Sequence, residues 1–101
     1  MENQHRKIAG YRELNEDEIS LMNAIKAQGA ELLKLQGKLV TMLQAQRIGK
    51  AVAAEHDDQA AIDEYERFKA AEPERWAAIG KTDIQTGIMA MVRAVAQPAG
   101  V

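Results

Sequence analysis

Apolar positions recur at three- and four-residue intervals along most of the chain, and no stretch alternates in the manner of a strand. Leu21, Ile25, Gln28, Leu32, Leu35, Leu39 and Met42 follow an alternating four–three spacing in which only Gln28 is polar. That pattern predicts a coiled-coil-like seam on a long helix. Its start is marked by Asn15 as N-cap and Glu18 three residues on, with Leu14 and Ile19 placed as a hydrophobic staple. Glu16, Asp17 and Glu18 suit the positive end of the helix dipole. "AEHDD" reads as a turn over 54–58, with Asp57 or Asp58 capping a second helix. Ile62, Tyr65 and Phe68 then give a short apolar face before Pro73. The proline either kinks the second helix or restarts it at a first helical position. Beyond it, Trp76, Gly80, Ile84, Gly87, Ile88, Met91 and Val95 line one stripe until Pro98. The predicted fold is all-α: an N-terminal arm over 1–14, then an antiparallel hairpin of two long helices, 15–53 and 58–97. The second helix is kinked near Pro73, and the whole of 1–101 forms a single domain.

Composition sharpens this picture. The chain has 101 residues, of which 47% are hydrophobic but only 4% aromatic, and many of the apolar positions are alanine. Such a core is thin, because alanine buries little area; assembly into a homo-oligomer would supply what one chain lacks. Cysteine is absent, which excludes disulfides, thiolate metal sites and cysteine nucleophiles. No apolar run approaches the roughly 20 residues of a membrane span. The opening "MENQHRKIAG" lacks the apolar core of a signal peptide, so the expected location is the cytoplasm. The net charge of −2 is unevenly spread: 54–72 hold seven acids against two bases, whereas 1–12 hold three bases against one acid. A duplex binder shows a broad basic face. Small basic clusters beside an acidic middle suit a small anionic ligand better than DNA or RNA.

The candidate chemistry is sparse. His5 and His56 have no partner at a spacing that suggests a triad or a metal site. "EHDDQAAIDEYE" lacks the central glycine of a calcium loop and reads as a solvated acidic face. Catalysis, a metal and a cofactor are therefore not expected. The N-terminal "HRKIAGYREL" places His5, Arg6 and Lys7 near Tyr11, whose ring could stack on a base or simply pin the arm. Lys26, beside the seam residue Ile25, is by default a snorkelling lysine. Arg75, Lys81, Thr82 and Gln85 form a donor-rich group, or an ordinary wet helix face. Gln28 could fix register or reach a ligand.

Two longer stretches add to these readings. "ENQHRKIAGYREL" followed by "EIxLMNxIK", and the closing "RWxxIGKTDIQTGIMAMVRAVAQP", resemble the phage anti-CBASS family of cyclic-oligonucleotide sponges. The resemblance covers about 2–35 and 74–98; the middle, 44–72, lies outside it and looks like a variable hairpin tip. It implies a helical protomer assembling into a homohexamer in the cytoplasm of an infected bacterium. Such a protein holds cyclic di- and trinucleotide messengers without cutting them, so that the host antiphage effector stays off. Tyr11 would stack on a base of the dinucleotide and Lys26 would pair with its phosphates. Gln28 stands where the family often has a small hydroxyl residue. Arg75, Lys81 and Thr82 would serve the trinucleotide. The competing reading is a structural or adaptor coiled-coil protein whose seam binds a partner helix.

Overall fold

The structure, a computed structural model, describes residues 12–100. Its regular structure over those residues is entirely helical: α1 spans Glu16–Ala53, α2 Gln59–Ala71 and α3 Pro73–Ala96. The predicted arm over 1–14 lies mostly outside the described residues.

Local chemistry accounts for each boundary. At the start of α1 the Glu18 amide donates to Asn15 Oδ1 at 2.8 Å, and the Asn15 amide donates to Glu18 Oε1 at 3.0 Å. This is the reciprocal capping box that the sequence predicts, and it satisfies two amides the helix leaves open. Of the two aspartates in the turn, Asp58 is the cap: its Oδ1 accepts from the Ala60 amide at 3.1 Å. The second predicted helix is divided. Glu72 adopts a left-handed conformation with φ 50° and ψ 50°, and its amide closes α2 on the Lys69 carbonyl. Proline disfavours right-handed helix at the residue before it, so the break falls there, and α3 restarts with Pro73 at its first position.

The chain comprises two compact units. One contains residues 1–32 and 83–101. There the first turns of α1 run antiparallel to the second half of α3, and the closest approach is at Gly29. This glycine is buried; a Cβ built on it would lie 2.1 Å from Ile88 Cδ1. Only a residue without a side chain allows the two helices to come so near.

The other unit contains residues 33–82. Its core is Leu43, Phe68 and Ala77, with Val40 packed against them. Gln36 donates to the Ala77 carbonyl at 2.9 Å. Around this core, Arg47 pairs with Glu74, and Lys50 pairs with Glu64 while lying 5.8 Å from the centre of the Phe68 ring.

Packing departs from the predicted seam by one residue on α1, whereas on α3 the predicted Gly80, Ile84, Gly87, Ile88 and Val95 are half-buried. On α1 the residues that turn inward include Gly29, Leu33, Gln36, Val40 and Leu43. Most of the predicted seam stays in solvent: Leu21, Leu32, Leu35, Leu39 and Met42 are 40–59% exposed, while Ile25 is half-buried. On α3 Trp76 is 59% exposed and Ala77 is buried in its place. A small residue fits where the Gln36 side chain reaches the backbone; an indole does not. Gly80 and Gly87 have nothing within 4 Å of a built Cβ, so neither serves a close approach within the chain.

Candidate functional site

Two of the predicted dinucleotide residues, Lys26 and Gln28, belong to the first unit. Tyr11 lies outside the described residues. Lys26 and Gln28 are both exposed on α1. Two residues on a helix are about 200° apart around its axis, so the ammonium and the amide look in different directions. The structure therefore does not bring Lys26 and Gln28 together on one face.

Gln28 instead borders a groove of about 480 Å³ within this unit, floored by Leu21, Ile25, Ile84, Gly87 and Met91. Its lining is apolar apart from Gln28 and Asp83. The volume falls in the range of small-molecule sites. The chemistry is poor for phosphate, because the floor is apolar, a carboxylate stands at its edge, and the Gln28 amide is the one donor-bearing side chain of its lining. It suits aliphatic side chains. The signal that would have found this groove is the pairing of Gly29 with Ile88, which only the register between helices reveals.

Arg12, absent from the predicted set, ties the start of α1 to the end of α3. Its Nη1 donates to Glu18 Oε1 at 3.3 Å, and Nη2 donates both to Glu18 Oε2 and to the Val95 carbonyl, the latter at 2.7 Å. The hydrogen bonds from Arg12, followed by that from the Asn15 amide, hold the Glu18 carboxyl below the usual carboxylate range. Arg93 also bonds a carbonyl, that of Gly100, at 2.8 Å. Carbonyls of the last turn of a helix lack intrahelical partners, and guanidinium groups satisfy them well.

The predicted trinucleotide donors belong to the second unit. Arg75, Lys81 and Thr82 are exposed on α3. Arg75 and Thr82 share a face about two turns apart, with Lys81 about 100° round from Thr82. Arg75 lies 3.8 Å from Glu72 and 5.2 Å from the centre of the Trp76 ring. The Thr82 hydroxyl donates to the Ala78 carbonyl at 3.3 Å, which leaves its lone pairs free to accept. Sequence reasoning assigned Trp76 to packing; the structure leaves it as an exposed aromatic beside a cation. In the same unit Glu64 is pulled down to about 2 by hydrogen bonds from Arg67 and then Lys50.

Among the described residues, no group of three or more acidic or histidine side chains is arranged to hold a metal ion. No helix among them is long and apolar enough to cross a membrane.

Comparison with known proteins matches this helical architecture to one family. The Acb2/Tad1 hairpin domain matches residues 4–96, including the middle stretch 44–72 that the sequence resemblance leaves out. The chain is 61% identical over 107 aligned residues to "Anti-CBASS protein 2" of Pseudomonas phage JBD67, and the alignment covers 99% of both proteins. Identity at that level over both full lengths establishes common descent: the chain belongs to the Acb2/Tad1 hairpin-domain family.

Proposed function

We propose that this protein blocks CBASS antiphage defence in an infected bacterium by sequestering cyclic di- and trinucleotide messengers without cleaving them. The observation that carries the reading is the 61% identity, end to end, with a protein named for opposing CBASS. A cyclic dinucleotide offers two negative charges and two flat bases. Tyr11 would supply the stacking surface and Lys26 the cation, with Gln28 donating where a hydroxyl residue is more usual. Arg75, Lys81 and Thr82 would face the trinucleotide phosphates. Lys26 and Gln28 look in different directions, so a ligand held by both would be enclosed by residues of more than one protomer.

A homohexamer fits the exposed apolar surface. Among the described residues, eleven large hydrophobics, from Ile19 to Met91, are at least 36% exposed. Monomeric proteins rarely leave such stripes open to water. The same α1 seam also favours the second reading, an adaptor that binds a partner helix.

The test is a release assay. Purified protein is mixed with a panel of cyclic di- and trinucleotides, free ligand is filtered off, and the protein is heated and its contents chromatographed. Intact ligand lost from the filtrate and recovered on heating supports sequestration. Ligand degraded before heating means an enzyme, and ligand never depleted favours the adaptor. Tyr11→Ala is expected to lower dinucleotide affinity by about 10–100-fold, the usual contribution of one base–aromatic stack. An unchanged affinity refutes the assignment of Tyr11.

A further inference from the structure

Trp76 is the single tryptophan of the chain, and the core of its unit does not use it. The inward position on this turn of α3 is filled by Ala77, whose carbonyl accepts from Gln36 at 2.9 Å. The residue before it points about 100° away, and the indole is left 59% exposed. The Arg75 guanidinium lies over the ring, 5.2 Å from its centre, within cation–π range. With that cation in place, more than half of the tryptophan still meets solvent. One turn further along the same face stands Gly80, and nothing lies within 4 Å of a Cβ built there. Side chains on a helix lean towards its N-terminus, so a larger residue at 80 would lie over the turn that carries Trp76. Glycine leaves that space open, although it makes the helix less stable than alanine would.

We propose that Trp76 is a stacking platform for a base of the cyclic trinucleotide, and that Gly80 is bare so that the base can reach the ring. The inference rests on the assignment of Arg75 to the trinucleotide under the proposed function. A nucleotide presents a flat π-face and a charged phosphate joined by a sugar. The exposed indole and the guanidinium beside it match those two parts. Stacking accepts any base, whereas the cation needs an anion; together they favour nucleotides over molecules that are only flat or only charged. The Glu72 carboxylate does not close the site. It lies 3.8 Å from Arg75 and both side chains are more than half exposed, so a phosphate oxygen can exchange for it. Trp76 touches the base and Arg75 the phosphate, and a bare Gly80 keeps the approach to the ring clear.

Tryptophan fluorescence of the full-length chain reads the stack directly, because no second tryptophan contributes. Cyclic tri-AMP and cyclic AMP–AMP–GMP are titrated in turn, and whichever the wild type holds is expected to quench the emission as it binds. By calorimetry, Trp76→Ala is expected to weaken binding of that probe by about 10–100-fold, the contribution of one base–aromatic stack. Trp76→Phe should cost less than about fivefold, since the smaller ring still stacks. Gly80→Leu should weaken binding about tenfold or more while raising the thermal unfolding midpoint, because leucine suits a helix better than glycine. Lost affinity in a more stable protein separates a blocked ring from a misfolded chain. Unchanged emission at saturation overturns the inference, and so does a Trp76→Ala affinity equal to that of the wild type. A Trp76→Ala protein that loses affinity and also elutes at a smaller size on gel filtration overturns it too, because the ring then holds protomers together. Failure of the underlying reading looks different: the wild type then holds neither trinucleotide, and the inference falls with it.

Discussion

Gly29→Ala isolates the tightest contact in the first unit. The added methyl would stand 2.1 Å from Ile88 Cδ1 and 2.8 Å from Cγ1, with Cγ2 at 3.7 Å. Rotating the end of the isoleucine can move Cδ1 away. Cγ1 moves only with χ1, which a β-branched residue in a helix holds in one well. The contact therefore has to be relieved by shifting Ile88 or by separating the helices. Overpacking of this kind costs about 1–3 kcal/mol. Against it stands the gain of about 1 kcal/mol from replacing glycine by alanine inside a helix. The net expectation is a loss of about 1 kcal/mol, or about 4–8 °C in the unfolding midpoint of a domain this size. The decisive assay repeats the substitution in an Ile88→Ala background. With Cγ1 and Cδ1 gone the penalty disappears, and Gly29→Ala should then raise stability by about 1 kcal/mol. Ile88→Val is the milder background; it removes Cδ1 alone and should recover only part of the effect. If Gly29→Ala stabilises equally with and without the isoleucine side chain, the close approach is not what holds glycine there.

Gly37 and Gly49 are the matching controls, since nothing lies within 4 Å of a Cβ on either. Each change to alanine should raise the midpoint by the equivalent of about 1 kcal/mol, checked by circular dichroism on heating. Phe68→Ala removes the largest of the three core side chains and should cost about 3–5 kcal/mol, measured by urea unfolding. Glu64 gives a pH signature with a definite sign. Its folded value, about 2, lies below the ordinary 4.5, so its contribution is full above pH 4.5 and fades as pH falls towards 2. The stability difference between wild type and Glu64→Gln should follow that course; a difference that grows on acidification contradicts it.

Much of the architecture was legible because local chemistry determines it. Asn15 and Glu18 announce a helix start whatever they later pack against, and Pro73 restricts its neighbour wherever it stands. The choice between a kink and a restart was not legible, since it depends on whether Glu72 accepts a left-handed conformation. The inward face of α1 is not legible from apolarity. The seam from Leu21 to Met42 is the most apolar line on α1, yet most of it is exposed in the single chain. The actual contact line runs one residue over, through Gly29, Gln36 and Val40, where small size and a hydrogen bond to the Ala77 carbonyl matter more than hydrophobicity. Trp76 and Ala77 exchanged places for the same reason. Of the proposed site, Lys26, Gln28, Arg75, Lys81 and Thr82 are exposed, but no spacing within one chain says whether they converge on a ligand. Arg12 escaped notice because its partners are six and 83 residues away.

Among the described residues, only Leu43, Phe68 and Ala77 of the larger side chains and alanines are buried. A protein that keeps so little of its apolar surface for itself has stability that belongs to whatever covers the remainder. If the cover is further copies, dilution acts on it as a denaturant, and its unfolding midpoint climbs with its own concentration. On the function proposed above, that would turn the rate of synthesis into a timer. The first copies would be the most fragile, and protection would set in only once enough had accumulated to shelter one another.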